Sequence, residues 1–304
     1  MSVLHFACTE CGKCCSEAPE MSLIEAMRLG DVFIPAIAYR LTRLPKEDND
    51  AGIASIKLNA DFEGTDPRDF LKSVRDSIAV RAGTAITGEH GWDSFVFVSA
   101  RAWHYKRIGC PALKGKLCTV HDRRPSTCRT VPARYDVPES LLVRSFHGMV
   151  TRGKTMPNPY ECDTSESAPA FFRDDVLVDD AYVKDRAAAT EAAMGERELA
   201  AKILTSPLLP PPQEIVQRLR NSGPFTISFH AAVVHARELG KIDTPAALSF
   251  CDSQMALIER EVAAALLRKR RDERDWTSRF RTLQAAYQSL KKSLLSNVDQ
   301  LAAP

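Results

Sequence analysis

Four cysteines fall within eight residues near the start of the chain, in Phe6-Ala7-Cys8-Thr9-Glu10-Cys11-Gly12-Lys13-Cys14-Cys15. A hydrophobic core has no need of thiols at this density, so the stretch restricts both the local backbone and the chemistry the chain is built for. A C-x2-C-x2-C run curls so that three sulfurs turn toward one point, as three ligands of a cubane iron–sulfur cluster do, and a zinc site uses two of the same positions. Gly12 permits the tight turn and leaves N–H groups facing the sulfurs. Cys14 and Cys15 are neighbours whose side chains diverge. Cys15 is therefore either a ligand to a second ion or a bystander to the first.

The complementary thiols stand far downstream, at Cys110-Pro111, Cys118, Cys128 and Cys162, which accounts for eight of the nine cysteines. Cys110 precedes proline as the remote ligand of a bacterial ferredoxin does, and Cys110, Cys118 and Cys128 lie in a Gly-, Pro- and Lys-rich stretch rather than on an apolar helical face. The pattern thus predicts metal ligation by Cys8, Cys11, Cys14, Cys15, Cys110, Cys118, Cys128 and Cys162. The expected cofactor is a 4Fe–4S iron–sulfur cluster or iron, with Zn2+ as the alternative. A redox-active Cys-x-x-Cys pair is the competing reading; it is placed second because no βαβ setting surrounds residues 8–15. His121 is a further candidate ligand. Cys251, among Leu248, Phe250 and Met255, reads as a core thiol.

The first block together with Cys110-Pro111, Gly115-Lys116-Leu117-Cys118 and Asp122-x-Arg124-Pro125-x2-Cys128-Arg129-x2-Pro132 resembles the YkgJ-type cysteine-cluster family, described as a zinc- or iron-chelating domain. His121 and Val131 stand where that family commonly has aromatic residues, and the segment between Cys15 and Cys110 is long, so the resemblance is to a decorated version. It implies a metal-binding protein in which Arg124 and Arg129 donate hydrogen bonds to thiolates. More distantly it extends to cysteine-cluster proteins that methylate flagellin lysines, which makes a metal-dependent protein-modifying enzyme such as a lysine methyltransferase one alternative. A helical adaptor with structural zinc is another. Whether the chain is an enzyme stays open.

The rest of the chain sets the frame. Three hundred and four residues make one or two domains, and a formal net charge of +2 gives no general attraction to nucleic acid. Neither a secretory signal nor an apolar run long enough for a bilayer is visible, which leads to a cytoplasmic expectation where thiols stay reduced. P-loop, G-x-S-x-G and H-E-x-x-H motifs are absent.

Ser22 with Glu25 predicts a capped helix ending at Gly30; residues 34–44 predict a short helix, Asp66-Pro67 opens another through about Val80, and Ser94–Val98 is the best strand candidate. Residues 138–152 predict a helix, and Pro157 to Cys162 a stiff loop returning Cys162 to the site. A composition shift near residues 165–180 divides a cysteine-cluster domain, 1–165, from a helical region, 166–304. Helices are expected there at about 212–221, 228–239, 245–270 and 275–302. The last carries an apolar stripe of Phe280, Leu283, Tyr287, Leu290, Leu294 and Leu301, which suits either an internal hairpin or a protein partner. The basic run Arg268–Arg271 with Arg274 is interrupted by Asp272, Glu273 and Asp275 and reads as a solvated face. The fold class expected is mainly α: a small irregular cysteine-rich metal-binding domain with little β, then helices.

Overall fold

The computed structural model describes residues 2–15, 18–59, 66–81, 84–86, 91–104, 109–155 and 161–301. The strands are β1 (Val3–His5), β2 (Glu20–Met21), β3 (Ile34–Pro45), β4 (Thr84–Ile86), β5 (Trp92–Trp103), β6 (Leu113–Lys114), β7 (Leu117–Cys118), β8 (Ala170–Arg173), β9 (Val176–Leu177) and β10 (Phe225–Ser228). The helices are α1 (Leu23–Arg28), α2 (Asp50–Asn59), α3 (Pro67–Arg81), α4 (Ser126–Arg129), α5 (Leu142–Thr155), α6 (Asp180–Gly195), α7 (Arg197–Leu204), α8 (Pro212–Ser222), α9 (His230–Glu238), α10 (Thr244–Arg268) and α11 (Arg274–Leu301).

These elements correct the expected fold class. The chain is a mixed α/β protein, with three β-sheets among the described residues, not a mainly α chain with little β. The five-stranded sheet runs β10-β3-β5-β2, with β4 also on β5. Its spine is the antiparallel pair β3–β5, registered from Ile34 opposite Trp103 to Pro45 opposite Trp92. Residues 34–44, expected as a helix, are therefore most of β3. Their alanines suit a helix, but Ile34, Ile37, Tyr39 and Thr42 are β-branched or aromatic, and pairing with the strongly strand-forming β5 decides between the two.

Helices close over this sheet. Ile37, Tyr39, Val96 and Ala100 share one core with Leu199 and Ile203 of α7, Ile215 and Leu219 of α8 and Phe229 beside α9. That core continues into the hairpin of α10 and α11, where Phe280, Leu283, Tyr287 and Leu294 are buried and Leu290 packs against them. Lys291 meets Asp252 across the two helices at 2.6 Å. The stripe on α11 thus serves the chain's own core; the side chain of Leu301 lies outside the described residues. Cys251 is fully buried, as expected of a core thiol.

A second core joins Leu44, Phe95 and Phe97 to Ile53, Leu71 and Ile78 of α2 and α3. A third, aromatic core of Phe6, Phe146, Phe171 and Phe172 backs the three-stranded sheet β1-β8-β9. Pro157 to Tyr160, expected as part of a stiff loop, lie outside the described residues. Among the described residues no helix is long and apolar enough to cross a membrane.

Candidate functional site

The thiol-bearing segments meet above the main core because several local contacts hold them. Gly12 sits at φ +71°, and a Cβ there would come within 2.9 Å of the Lys116 carbonyl oxygen. Glycine therefore lets the cysteine loop lie directly on the β6–β7 hairpin, whose register sets Leu113 opposite Cys118. A 3-10 turn over Lys13–Cys15 follows, closed by the Cys15 N–H donating to the Gly12 carbonyl at 3.0 Å. The Cys110 N–H in turn donates to the Cys15 carbonyl at 3.2 Å.

Glu25 positions Cys128. As the third helical residue of α1 it completes the expected capping box with Ser22, and its other oxygen accepts the Ser126 N–H at 2.7 Å. One carboxylate thereby caps its own helix and the start of α4, on which Cys128 stands. Thr127 adds a hydroxyl bond to the Glu20 carbonyl. Cys162 is carried in by a small antiparallel bridge, in which the Ala7 N–H donates to the Asp163 carbonyl at 2.8 Å and the Asp163 N–H to the Ala7 carbonyl at 3.0 Å. Lys13 locks the arrangement by pairing with Glu161 at 2.5 Å.

The result is one cavity of about 450 Å3 lined by Cys8, Cys11, Cys14, Cys15, Cys110, Cys118, Cys128 and Cys162. Ala18, Phe33, Ala112, Leu113, Val120 and Val131 supply apolar wall between them. Every sequence-predicted site cysteine lines it, and all nine cysteines of the chain are free thiols. Sequence reasoning overlooked the double role of Glu25, the Lys13–Glu161 clamp and the apolar wall. The capping box signalled the first; no local pattern signalled the others.

The sulfurs differ in chemistry. Cys14 and Cys15 sulfurs stand 4.0 Å apart. With the Cys14 thiol as donor, Cys15 is held below the ordinary thiol value, and the same hydrogen bond, reinforced by burial, drives Cys14 well above it. Burial raises Cys110, pushes Cys128 up to about 12 and takes Cys162 up to about 11. Cys15 is thus the sulfur most easily ionised among the thiols whose values depart from the ordinary one.

The geometry overturns the metal reading. Among the described residues, no group of three or more His, Cys, Asp or Glu side chains stands where it could hold a metal ion. A tetrahedral zinc is held by four such side chains gathered at bonds of about 2.3 Å; the thiols here line a cavity without forming such a group. The iron–sulfur cluster, iron and Zn2+ expectations fall with that finding, as does the resemblance to the YkgJ-type family that implied them. The metal-dependent lysine methyltransferase and the zinc-stabilised adaptor lose their basis for the same reason. His121 is exposed at the cavity mouth, with its Nε2 3.9 Å from the Glu10 carboxylate. Arg129 donates to the Ser126 hydroxyl at 3.2 Å and lies 3.7 Å from Asp185. No protein-family model, curated protein or solved structure matches the chain.

Proposed function

We propose that this chain acts through its thiols, carrying out thiol–disulfide exchange on a small molecule admitted to the cysteine-lined cavity. The observation that carries the reading is the gathering of eight cysteines, drawn from four separated stretches of sequence, around one cavity of about 450 Å3. That volume suits a small ligand rather than a folded partner, and an apolar wall excludes competing water. The setting that fits the reading is cytoplasmic, where thiols are maintained in the reduced form.

In the proposed exchange the Cys15 thiolate attacks one sulfur of a disulfide R–S–S–R′. An S–S bond forms between Cys15 and R–S as the old S–S bond breaks, and R′–S leaves with the electron pair. A second protein thiol then attacks the Cys15 sulfur, releasing R–S and closing an internal disulfide. Its proton goes to the departing thiolate. The substrate disulfide is reduced by two electrons and the protein is oxidised by two. Cys14 is a poor second thiol, since adjacent Cα atoms about 3.8 Å apart are closer than the roughly 4.4 Å lower limit of ordinary disulfides. Cys110, hydrogen-bonded through its backbone to Cys15, is assigned that role.

Trapping tests the assignment. Reduced Cys110→Ser protein treated with a small disulfide should accumulate a mixed disulfide on Cys15, whereas the unaltered protein should proceed to an internal one. Adducts spread evenly over the cavity thiols, with the same products in both proteins, would contradict it.

A further inference from the structure

The cavity wall is largely apolar and thiol-bearing, yet Arg124 stands on it. Its Nε is withdrawn from solvent with no hydrogen-bond partner among the described residues. The backbone around it is fixed by the 3-10 turn His121–Arg123, by the Arg124 N–H donating to the His121 carbonyl at 3.4 Å and by Pro125. Other charged residues on the wall have counterparts. Glu10 faces His121 at 3.9 Å, Glu20 accepts the Ser99 hydroxyl at 2.7 Å, and the Arg134 guanidinium grips Asp136, with Nε at 2.7 Å. Lys116 is exposed near the Glu161 carboxylate, whose pKa its charge helps to lower.

The Arg124 guanidinium on the wall makes no ion pair among the described residues, and a planar cationic fork is the group best matched to a carboxylate. Resting on the exchange reading above, we infer that Arg124 is the specificity-determining residue of the pocket: it receives a carboxylate, so the substrate is a small disulfide bearing an acidic group. The rival role, a general offset to thiolate charge, would affect every disulfide alike. A carboxylate receptor affects only those that carry one.

The test compares two aromatic disulfides, the dianionic dithiobis(nitrobenzoate) and the neutral dithiodipyridine, on the reduced full chain. Each second-order rate constant is divided by that of a small free thiol, which removes the reagents' intrinsic difference in reactivity. The inference predicts that the unaltered protein favours the anionic reagent by about tenfold, the factor expected of one charge-assisted hydrogen bond. Arg124→Gln should bring that normalised ratio to about one, and Arg124→Lys, which keeps the cation without the fork, should retain part of it. A ratio near one in the unaltered protein, or an unchanged preference in Arg124→Gln, overturns the inference while leaving the exchange reading in place. Inertness of the unaltered protein to both reagents removes the exchange reading and this inference with it.

Discussion

Cys15 and Gly12 show how single residues set the site. Cys15 receives the Cys14 thiol hydrogen bond and lies below the ordinary thiol value, while Cys128 is pushed up to about 12 and Cys162 up to about 11. Because the thiolate is the nucleophile, a depressed pKa preserves reactivity as pH falls, and a raised one delays it until the solution is alkaline. With iodoacetamide at about pH 7, Cys15 should be alkylated well before Cys128 and Cys162, and the gap should narrow as pH rises toward the raised values. Peptide mapping of the labelled sites reads this directly; equal labelling of Cys15 and Cys128 would contradict it. Gly12 acts through space and conformation together. Gly12→Ala places a Cβ against the Lys116 carbonyl in a left-handed backbone, and should lower stability by about 1–2 kcal/mol in urea unfolding.

At the scale of elements, Glu25 ties the start of α1 to the start of α4. Glu25→Ala leaves N–H donors of both without their carboxylate and should cost about 1–3 kcal/mol. It should also raise the labelling rate of Cys128, which loses the anchor of its helix; a stability loss without any change at Cys128 would confine Glu25 to α1. The hairpin of α10 and α11 makes a separate prediction. Leu283 is 2% exposed in the main core, so Leu283→Asp should destabilise by about 3–5 kcal/mol. Loss of a partner without loss of stability would place the stripe in an interface instead.

Several helices were legible because their signals are local: Ser22 and Glu25 for α1, Asp66-Pro67 for α3 and the apolar stripe for α11. The strand core around Ser94–Val98 was legible for the same reason. β3 was not, because its identity depends on a partner some 58 residues away, Phe97 opposite Arg40 and Val98 opposite Tyr39, while its alanines suit a helix equally well. β10 is a four-residue segment between helices that declares itself only by pairing with Ala36–Tyr39. The gathering of eight cysteines could be anticipated from their clustering; the contacts that hold their segments together could not. Those contacts are made by Gly12, Glu25 and the Ala7–Asp163 bridge, which act between segments remote in sequence.

For the whole molecule, the cavity sits at the meeting of two packed bodies of side chains. Ala18, Phe33, Cys110, Ala112 and Val120 belong to the main core beneath it, while Phe6 and Cys162 belong to the aromatic cluster behind the three-stranded sheet. The thiols are therefore held on rigid supports, and the ninth, Cys251, is buried apart from them with its pKa raised to about 11. The most direct measurement of the central claim is a thiol account of the freshly purified, fully reduced chain. It is titrated with a small neutral disulfide, its remaining thiols are counted and its disulfides mapped, with metal content determined on the same sample. Exchange at Cys15 removes two thiols for each disulfide reduced, joins Cys15 to Cys110 in the new bond and leaves Cys251 free. Cavity thiols as inert as Cys251, or masked by a stoichiometric metal, would contradict it.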